Sequence, residues 1–185
     1  FPKWSRFRGR RGMMDLLPLL GEMWQKDRKK LVDAAEKGAI QLSRASGGQP
    51  GPALGEKALK LAYSQLTTRF EPNRGGFSTQ PKFPMPHNLS FLMRYYLRSG
   101  DKKALAMVEK TLQSMRLGGI YDHIGFGFHR YSTDRQWLLP HFEKMLYDQA
   151  LLAIAYLEAY QITKKPMYAQ TAREIFIYIR RDMTA

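Results

Sequence analysis

Residues 117–149 read LGGIYDHIGFGFHRYSTDRQWLLPHFEKMLYDQ, and this stretch interrupts a chain that is otherwise patterned as helices. It holds three of the four histidines, His123, His129 and His141. It also holds four glycines, which adopt backbone angles that other residues avoid and so favour tight turns. Titratable and aromatic side chains gathered in a long loop between helices are typical of a cleft wall, so we expect a binding site here.

A short β-hairpin is predicted near residues 127–138. Residues 128–133 alternate in side-chain character, and a period of two is typical of a strand. A turn at Asp134 and Arg135 would then lead into a return strand at residues 136–138. The hairpin would be the one β-structure in a chain that we predict to be all-α.

The register of this hairpin decides which side chains share a face. A three-residue turn places Trp137 opposite Tyr131, whereas a two-residue turn places it opposite Ser132. Pro140 stops the return strand and is predicted to open a helix, because a first helical turn does not need the N–H group that proline lacks. His141 would then lie in the first turn of that helix.

Helical periodicity covers most of the remaining chain, with Asp27, Gly100 and Asp101 placed to cap or close helices. The predicted helices lie at 13–44 with a break at Asp27, and at 56–69, 88–99, 101–116, 141–163 and 166–182. The middle of the helix at 141–163 is apolar nearly all round, which predicts cover on both sides. Long loops at 70–87 and 117–140 alternate with short turns. This alternation predicts stacked helical hairpins with both long loops at one end, as in part of a ring.

The chain is basic, with 30 Lys and Arg against 16 Asp and Glu and a net charge of +14. Such a balance can indicate nucleic-acid binding. The excess is spread along the chain, however, apart from one cluster that comprises Lys3, Arg6, Arg8, Arg10 and Arg11. No known nucleic-acid module is recognisable, so nucleic-acid binding is kept as a minor alternative.

The chain has no cysteine, which excludes disulfides, thiolate metal sites and a cysteine nucleophile within these residues. No apolar run approaches the roughly 20 residues that a membrane-spanning helix needs. The basic start is followed by no apolar stretch with a cleavage site, so no signal peptide is predicted. We therefore expect a cytoplasmic protein without a membrane partner.

Two segments carry a family resemblance. They are GGFSTQPKFPMP at 75–86 and GGIYDHIGFGFHRYSTDRQWLLPHFEKMLYDQALL at 118–152. Both resemble the thioredoxin-domain family that includes YyaL-type and spermatogenesis-associated proteins, and the stretch 1–31 resembles the end of that family's thioredoxin-like domain. One departure is Phe126, which stands where the family pattern usually has another glycine.

The resemblance implies a partial six-hairpin (α/α) toroid like that of N-acylglucosamine 2-epimerases and six-hairpin glycosidases. Residues 1–44 would be the C-terminal helix of a thioredoxin-like domain, 45–55 a linker, and 56–185 the first hairpins of the toroid. The thioredoxin-like domain of the same chain would then be a partner. A thioredoxin redox motif needs cysteines, so no redox role is carried over to these residues.

Carbohydrate binding or conversion is the function that this resemblance favours. Chemistry on a sugar needs acid–base groups in a cleft and an aromatic platform for the ring. The expected catalytic residues are His129 and His141, with Asp122 as a partner. The expected substrate-binding residues are Lys82, Phe83, Arg130, Tyr131 and Trp137. A sugar-like small molecule is the expected ligand, and no cofactor or metal is predicted.

Two other interpretations remain open. His123, His129, His141, Asp122 and Glu143 are metal-ligand types, but their spacing matches no zinc pattern, and Asp122 can instead bond within a turn. Alternatively, the chain is a structural or interaction module of a longer protein. A chain that carries only part of a toroid should then expose apolar surface at its edge.

Overall fold

The computed structural model describes residues 3, 11–48, 51 and 54–184. Most of the basic cluster at the start of the chain lies outside these described residues, as do linker residues 49, 50, 52 and 53. The chain divides into two compact units, Phe1–Ala53 and Leu54–Ala185. The thioredoxin-like identity of the first unit stays a prediction.

The first unit contains helices α1 (Met13–Lys26) and α2 (Arg28–Ser46). The predicted break at Asp27 is confirmed, because its carboxylate accepts a hydrogen bond of 3.2 Å from the N–H of Lys30 and so caps α2. Helix α2 continues to Ser46, two residues beyond the predicted end, so the helix takes in the start of the predicted linker.

The second unit is helical, as predicted, and its helices share one core. The described helices are α3 (Glu56–Arg69), α4 (Pro86–Ser99), α5 (Lys102–Leu117), α6 (Leu146–Thr163) and α7 (Pro166–Asp182). Gly100 closes α4 in the left-handed conformation (φ +74°), and the Asp101 side chain caps α5 through the N–H of Lys103. The core is formed by fully buried side chains from α4 to α7, among them Leu89, Leu92, Val108, Leu112, Leu152, Tyr156, Tyr168 and Ile175.

The two long loops meet at one end of this unit, which confirms the hairpin arrangement. Lys82 and Ser132 exchange backbone hydrogen bonds of 2.8 and 2.9 Å. The indole N–H of Trp137 donates to the carbonyl of Arg74 at 2.9 Å. The loop between α3 and α4 is thus joined directly to the loop between α5 and α6.

The predicted hairpin exists, but its return strand lies farther along the chain. Strand β1 (Tyr131–Ser132) pairs with β2 (Pro140–His141), so that His141 rather than Trp137 lies opposite Tyr131. The Asp134 carboxylate causes the shift by accepting three backbone N–H groups, those of Gln136, Leu138 and Leu139. A turn capped in this way is longer than the two or three residues that side-chain alternation suggested.

Helix α6 begins at Leu146, so the prediction of a helix from His141 is wrong. Pro140 and His141 are used as a strand, and the Glu143 carbonyl accepts the N–H of Arg130 at 2.7 Å. His141, Glu143 and Lys144 therefore lie in an extended segment ahead of α6 and do not follow helical spacing.

One side of α6 is exposed within the described chain. Leu151, Ile154 and Leu157 keep 45%, 48% and 43% of their surface accessible, whereas Leu152 and Tyr156 on the other side are fully buried. Helices α4 and α7 pack on the side of α6 that carries Leu152 and Tyr156. No described helix or strand covers the side that carries Leu151, Ile154 and Leu157. The prediction that α6 is covered on both sides is thus wrong for these residues.

Candidate functional site

Five side chains at the long-loop end form what we call the loop-end cluster: Phe83, Arg130, Tyr131, His141 and Tyr147. The rings of Tyr131 and His141 are stacked, with centroids 4.9 Å apart and planes 8° from parallel. The pairing of β1 with β2 sets this stack, because the two residues lie directly opposite each other. The Phe83 ring lies 4.9 Å from Tyr131 and joins the first long loop to the second. The cluster unites four of the eight predicted site residues.

Arg130 is held in the cluster by a buried carboxylate. Its guanidinium donates to Asp148 at 3.0 Å and lies 5.1 Å from the ring centroid of Tyr147 and 5.9 Å from that of Phe83. Burial raises the pKa of Asp148, while Arg130 acts in the opposite direction. Asp148 is a site residue that the sequence analysis missed. The signal was a carboxylate in the first turn of an otherwise apolar helix.

His141 faces solvent, and its side chain is 50% exposed. Its Nε2 atom lies 3.6 Å from a carboxylate oxygen of Glu143, which is also half exposed. The same carboxylate lies 3.8 Å from Nε of Arg130. A protonated His141 ring would therefore have a carboxylate partner within the cluster.

Asp122 is engaged by Lys144 rather than by a histidine. The Lys144 ammonium donates to Asp122 at 2.7 Å and to the Phe126 carbonyl at 2.8 Å. Asp122 also accepts the N–H groups of Ile124 and Gly125, which is the turn anticipated as an alternative. Burial alone would raise the pKa of Asp122, but these partners outweigh it and lower the pKa to about 2. Asp122 is thus a fixed anion that orders the glycine-containing turn.

His129 lies beside this ion pair and is partly buried. Burial lowers the pKa of His129, the charge of Lys144 lowers it further, and Asp122 opposes both. Its Nδ1 atom is buried and has no hydrogen-bond partner among the described residues. The ring packs edge-on against Phe142, with centroids 5.2 Å apart. The arrangement favours a neutral imidazole, which can accept a proton.

Lys82 and Trp137 are fully buried, so they do not line a cleft as expected. The Lys82 ammonium donates to Glu71 at 3.2 Å and to the Arg135 carbonyl at 3.0 Å, and it lies 4.8 Å from the centre of the Trp137 ring. Gly76 allows this packing, because a Cβ atom there would lie 2.7 Å from Lys82 and 2.9 Å from Trp137. Lys82 and Trp137 join the two long loops beneath the loop-end cluster, and their position favours a supporting role.

Gln149 is a second residue that the sequence analysis missed. It is fully buried in α6, where its amide accepts the N–H of Phe128 at 2.8 Å and donates to the carbonyl of the same residue at 2.6 Å. This pair of hydrogen bonds to the backbone of Phe128 fixes the segment that leads into His129 and Arg130. A polar residue inside an apolar helical run was the available signal.

The metal alternative gains no support from the described residues. Among them, no three His, Asp or Glu side chains are grouped as ligands for one ion. None of the described helices is long and apolar enough to cross a membrane.

No family model matches the chain, but individual proteins do. Human spermatogenesis-associated protein 20 is 38% identical over 181 residues, which are 94% of this chain and 23% of the human protein. The chain is homologous to one segment of spermatogenesis-associated protein 20. The mouse protein of that name matches at the same identity and coverage, and an uncharacterised protein of Caenorhabditis elegans is 37% identical over 164 residues. The chain spans about a quarter of the length of these relatives.

Solved structures identify the fold of this chain. A sugar epimerase from a ruminal bacterium superimposes with a TM-score of 0.57 at 22% identity, over 69% of this chain and 38% of the epimerase. A cellobiose 2-epimerase from Bacillus thermoamylovorans gives a TM-score of 0.55 at 16% identity, with the same coverage. The helices thus form part of an epimerase-like (α/α) toroid, which confirms the predicted fold. The cytoplasmic location and the thioredoxin-like partner domain stay predictions.

Proposed function

We propose that the loop-end cluster binds a neutral sugar. We also propose that the natural-length protein, in which this chain would be one segment, converts that sugar. The observation that carries this proposal is the stacked pair of Tyr131 and His141, with Phe83 beside it, at the long-loop end of an epimerase-like fold. A sugar ring has a C–H face that packs on aromatic rings and hydroxyl groups that bond charged side chains. The cluster offers both kinds of contact within a few ångströms.

The charged groups suit hydroxyl recognition. Asp148 holds the Arg130 guanidinium in place, and the remaining N–H groups of Arg130 stay available as donors. The Glu143 carboxylate is half exposed and can accept from a hydroxyl. Because Arg130 is already balanced by two carboxylates, the cluster suits an uncharged sugar better than an acidic one.

A histidine pair would carry the proton transfers of an epimerisation. His129, kept neutral, would take the proton from the carbon next to the sugar carbonyl, and the C–H electron pair would move into an enolate. His141, protonated and paired with Glu143, would return a proton to the opposite face of that carbon. Asp122 would contribute by fixing Lys144 and the glycine-containing turn, which is a positioning role.

Binding is tested with a panel of neutral mono- and disaccharides titrated into the natural-length protein. Tyr131→Ala should weaken binding of the best sugar at least tenfold, since it removes the platform. Tyr96→Ala is the matched control, because Tyr96 is also partly buried but lies near the other end of α4. Equal losses in the two variants, or a wild-type protein that binds no sugar, would sink the proposal.

Catalysis is tested by incubating the bound sugar in D2O. Proton abstraction should place deuterium on the carbon next to the carbonyl, visible by NMR, and His129→Ala should abolish this exchange while leaving sugar binding intact. Binding without exchange in the wild-type protein would restrict the function to recognition.

An interaction module is the second candidate, and the exposed apolar side of α6 favours it. Leu151, Ile154 and Leu157 suit burial against further protein. Ile154→Glu should then destabilise the natural-length protein by several degrees in Tm. An unchanged Tm would show that this surface is free in that protein.

A further inference from the structure

A second recess lies where the last turns of α5 meet the two long loops. It is a cavity of about 220 Å³ and shares no residue with the loop-end cluster. Its polar lining comprises Arg74, Lys110, Gln113, Ser114 and Gln136. The cavity therefore combines two cationic groups with neutral hydrogen-bonding groups.

The positive charge of this recess is not compensated. Neither Arg74 nor Lys110 forms an ion pair in the described ranges of the chain. The two carboxylates that lie close to Arg74 and Lys110 in sequence are already engaged. Glu71 accepts the N–H groups of Asn73 and Arg74 and pairs with Lys82, and Glu109 pairs with Lys165.

We propose that this recess binds an oxyanion of the phosphate type. Arginine and lysine are the side chains that best match phosphate oxygens. The Ser114 hydroxyl and the Gln136 amide make no hydrogen bond within the described residues, so both can donate to the anion. Taken alone, this recess suits a small anion, because 220 Å³ lies below the roughly 300–1,000 Å³ typical of sites for larger organic ligands.

An adjoining recess extends the site. It measures about 320 Å³, shares Arg74 and Gln136 with the first, and adds Arg135. This space can hold the organic part of a phosphate ester. Free phosphate and a small phosphate ester thus share the same recognition chemistry. A comparison of their dissociation constants distinguishes the two ligands.

The test uses the natural-length protein at constant ionic strength, because surface charge effects are screened by salt. Inorganic phosphate, glucose 6-phosphate and glucose are each titrated and followed by calorimetry. Arg74→Gln combined with Lys110→Gln removes two charges whose side chains form no hydrogen bond or ion pair among the described residues, so the fold should be kept. Lys57→Gln combined with Lys102→Gln is the control, since it removes the same charge from exposed residues that line neither recess.

The wild-type protein should bind inorganic phosphate saturably, and the Arg74 and Lys110 double variant should raise Kd at least tenfold. The control should bind as the wild type does. Tighter binding of glucose 6-phosphate than of phosphate identifies an ester as the ligand, and equal binding identifies the free anion. Absence of saturable phosphate binding, or the same loss in the control, would overturn the proposal. Tyr131→Ala should leave phosphate binding unchanged, which separates this site from the loop-end cluster.

Discussion

Lys144 controls two titratable groups at once. Its ammonium lies 2.7 Å from a carboxylate oxygen of Asp122, and its charge also acts on His129. The two neighbours respond in the same direction, because a nearby cation stabilises an anion and disfavours a second cation. The pKa values of both groups are lowered, so Asp122 stays charged and His129 stays neutral at neutral pH.

Removal of this charge should raise the pKa of His129. We expect the pKa of His129 to lie below its ordinary value of 6.5 in the wild-type protein. In the Lys144→Met variant, the pKa of His129 should be higher than in the wild type. NMR of the imidazole C–H protons measures both values without any ligand. Lys57→Met, which removes an exposed charge elsewhere, serves as the control. A His129 pKa that stays the same or falls in Lys144→Met would contradict the electrostatic account.

Asp122 should contribute to stability above about pH 4 and lose that contribution as the pH falls to about 2. Its folded pKa of about 2 lies below the ordinary 3.8, so the folded state binds the proton less readily than the unfolded state. Allowing for partial solvent screening, Asp122→Asn should cost about 1–2 kcal/mol at pH 7. Urea unfolding at several pH values should show the difference in stability between the wild type and Asp122→Asn shrinking towards pH 2. A difference that persists at low pH would exclude the ion pair as its source.

Elements defined by helical periodicity were predictable, whereas those set by hydrogen bonds from particular side chains were not. The bounds of α3 and α5 and the caps at Asp27 and Asp101 follow from neighbouring residues, and the structure reproduces them closely. The pairing of β1 with β2 depends on the Asp134 carboxylate, which could not be deduced from side-chain alternation. The prediction of the site was limited in the same way, because the position of His141 depends on whether it belongs to β2 or to α6.

Gln149 joins α6 to the loop that carries the histidines by two hydrogen bonds to the backbone of Phe128. Gln149→Leu should leave the buried N–H and carbonyl of Phe128 without partners, at a cost of roughly 1–3 kcal/mol for each group. Chemical denaturation measures this loss. Gln161→Leu on the exposed part of the same helix should change stability by less than about 0.5 kcal/mol. Similar losses in the two variants would mean that the amide bonds are not responsible.

Trp137 should behave as a core residue of the loop junction. Trp137→Ala should cost roughly 3–5 kcal/mol of stability, since it empties a fully buried site and frees the Arg74 carbonyl. Trp137→Phe should cost less, because it keeps part of the ring against Lys82. Thermal unfolding measures both variants. A loss of sugar binding in Trp137→Phe with no loss of stability would instead restore the tryptophan to the binding surface.

At the scale of the whole molecule, the chain corresponds to only part of the proteins that it matches. The match to the human relative covers 94% of this chain and 23% of that protein, and the matches to the two epimerase structures cover 38% of each epimerase. The open side of α6 is consistent with that proportion, because a complete ring of hairpins covers its inner helices. The loop-end cluster, by contrast, is assembled entirely from described residues.

The most direct measurement is a crystal structure of the natural-length protein with the neutral sugar that binds best. Our account predicts the sugar ring packed on the stacked pair of Tyr131 and His141, with Arg130 and Glu143 within hydrogen-bond distance of its hydroxyl groups. Trp137 and Lys82 should remain buried beneath it. A sugar bound elsewhere, with the loop-end cluster ordered and empty, would contradict the central claim.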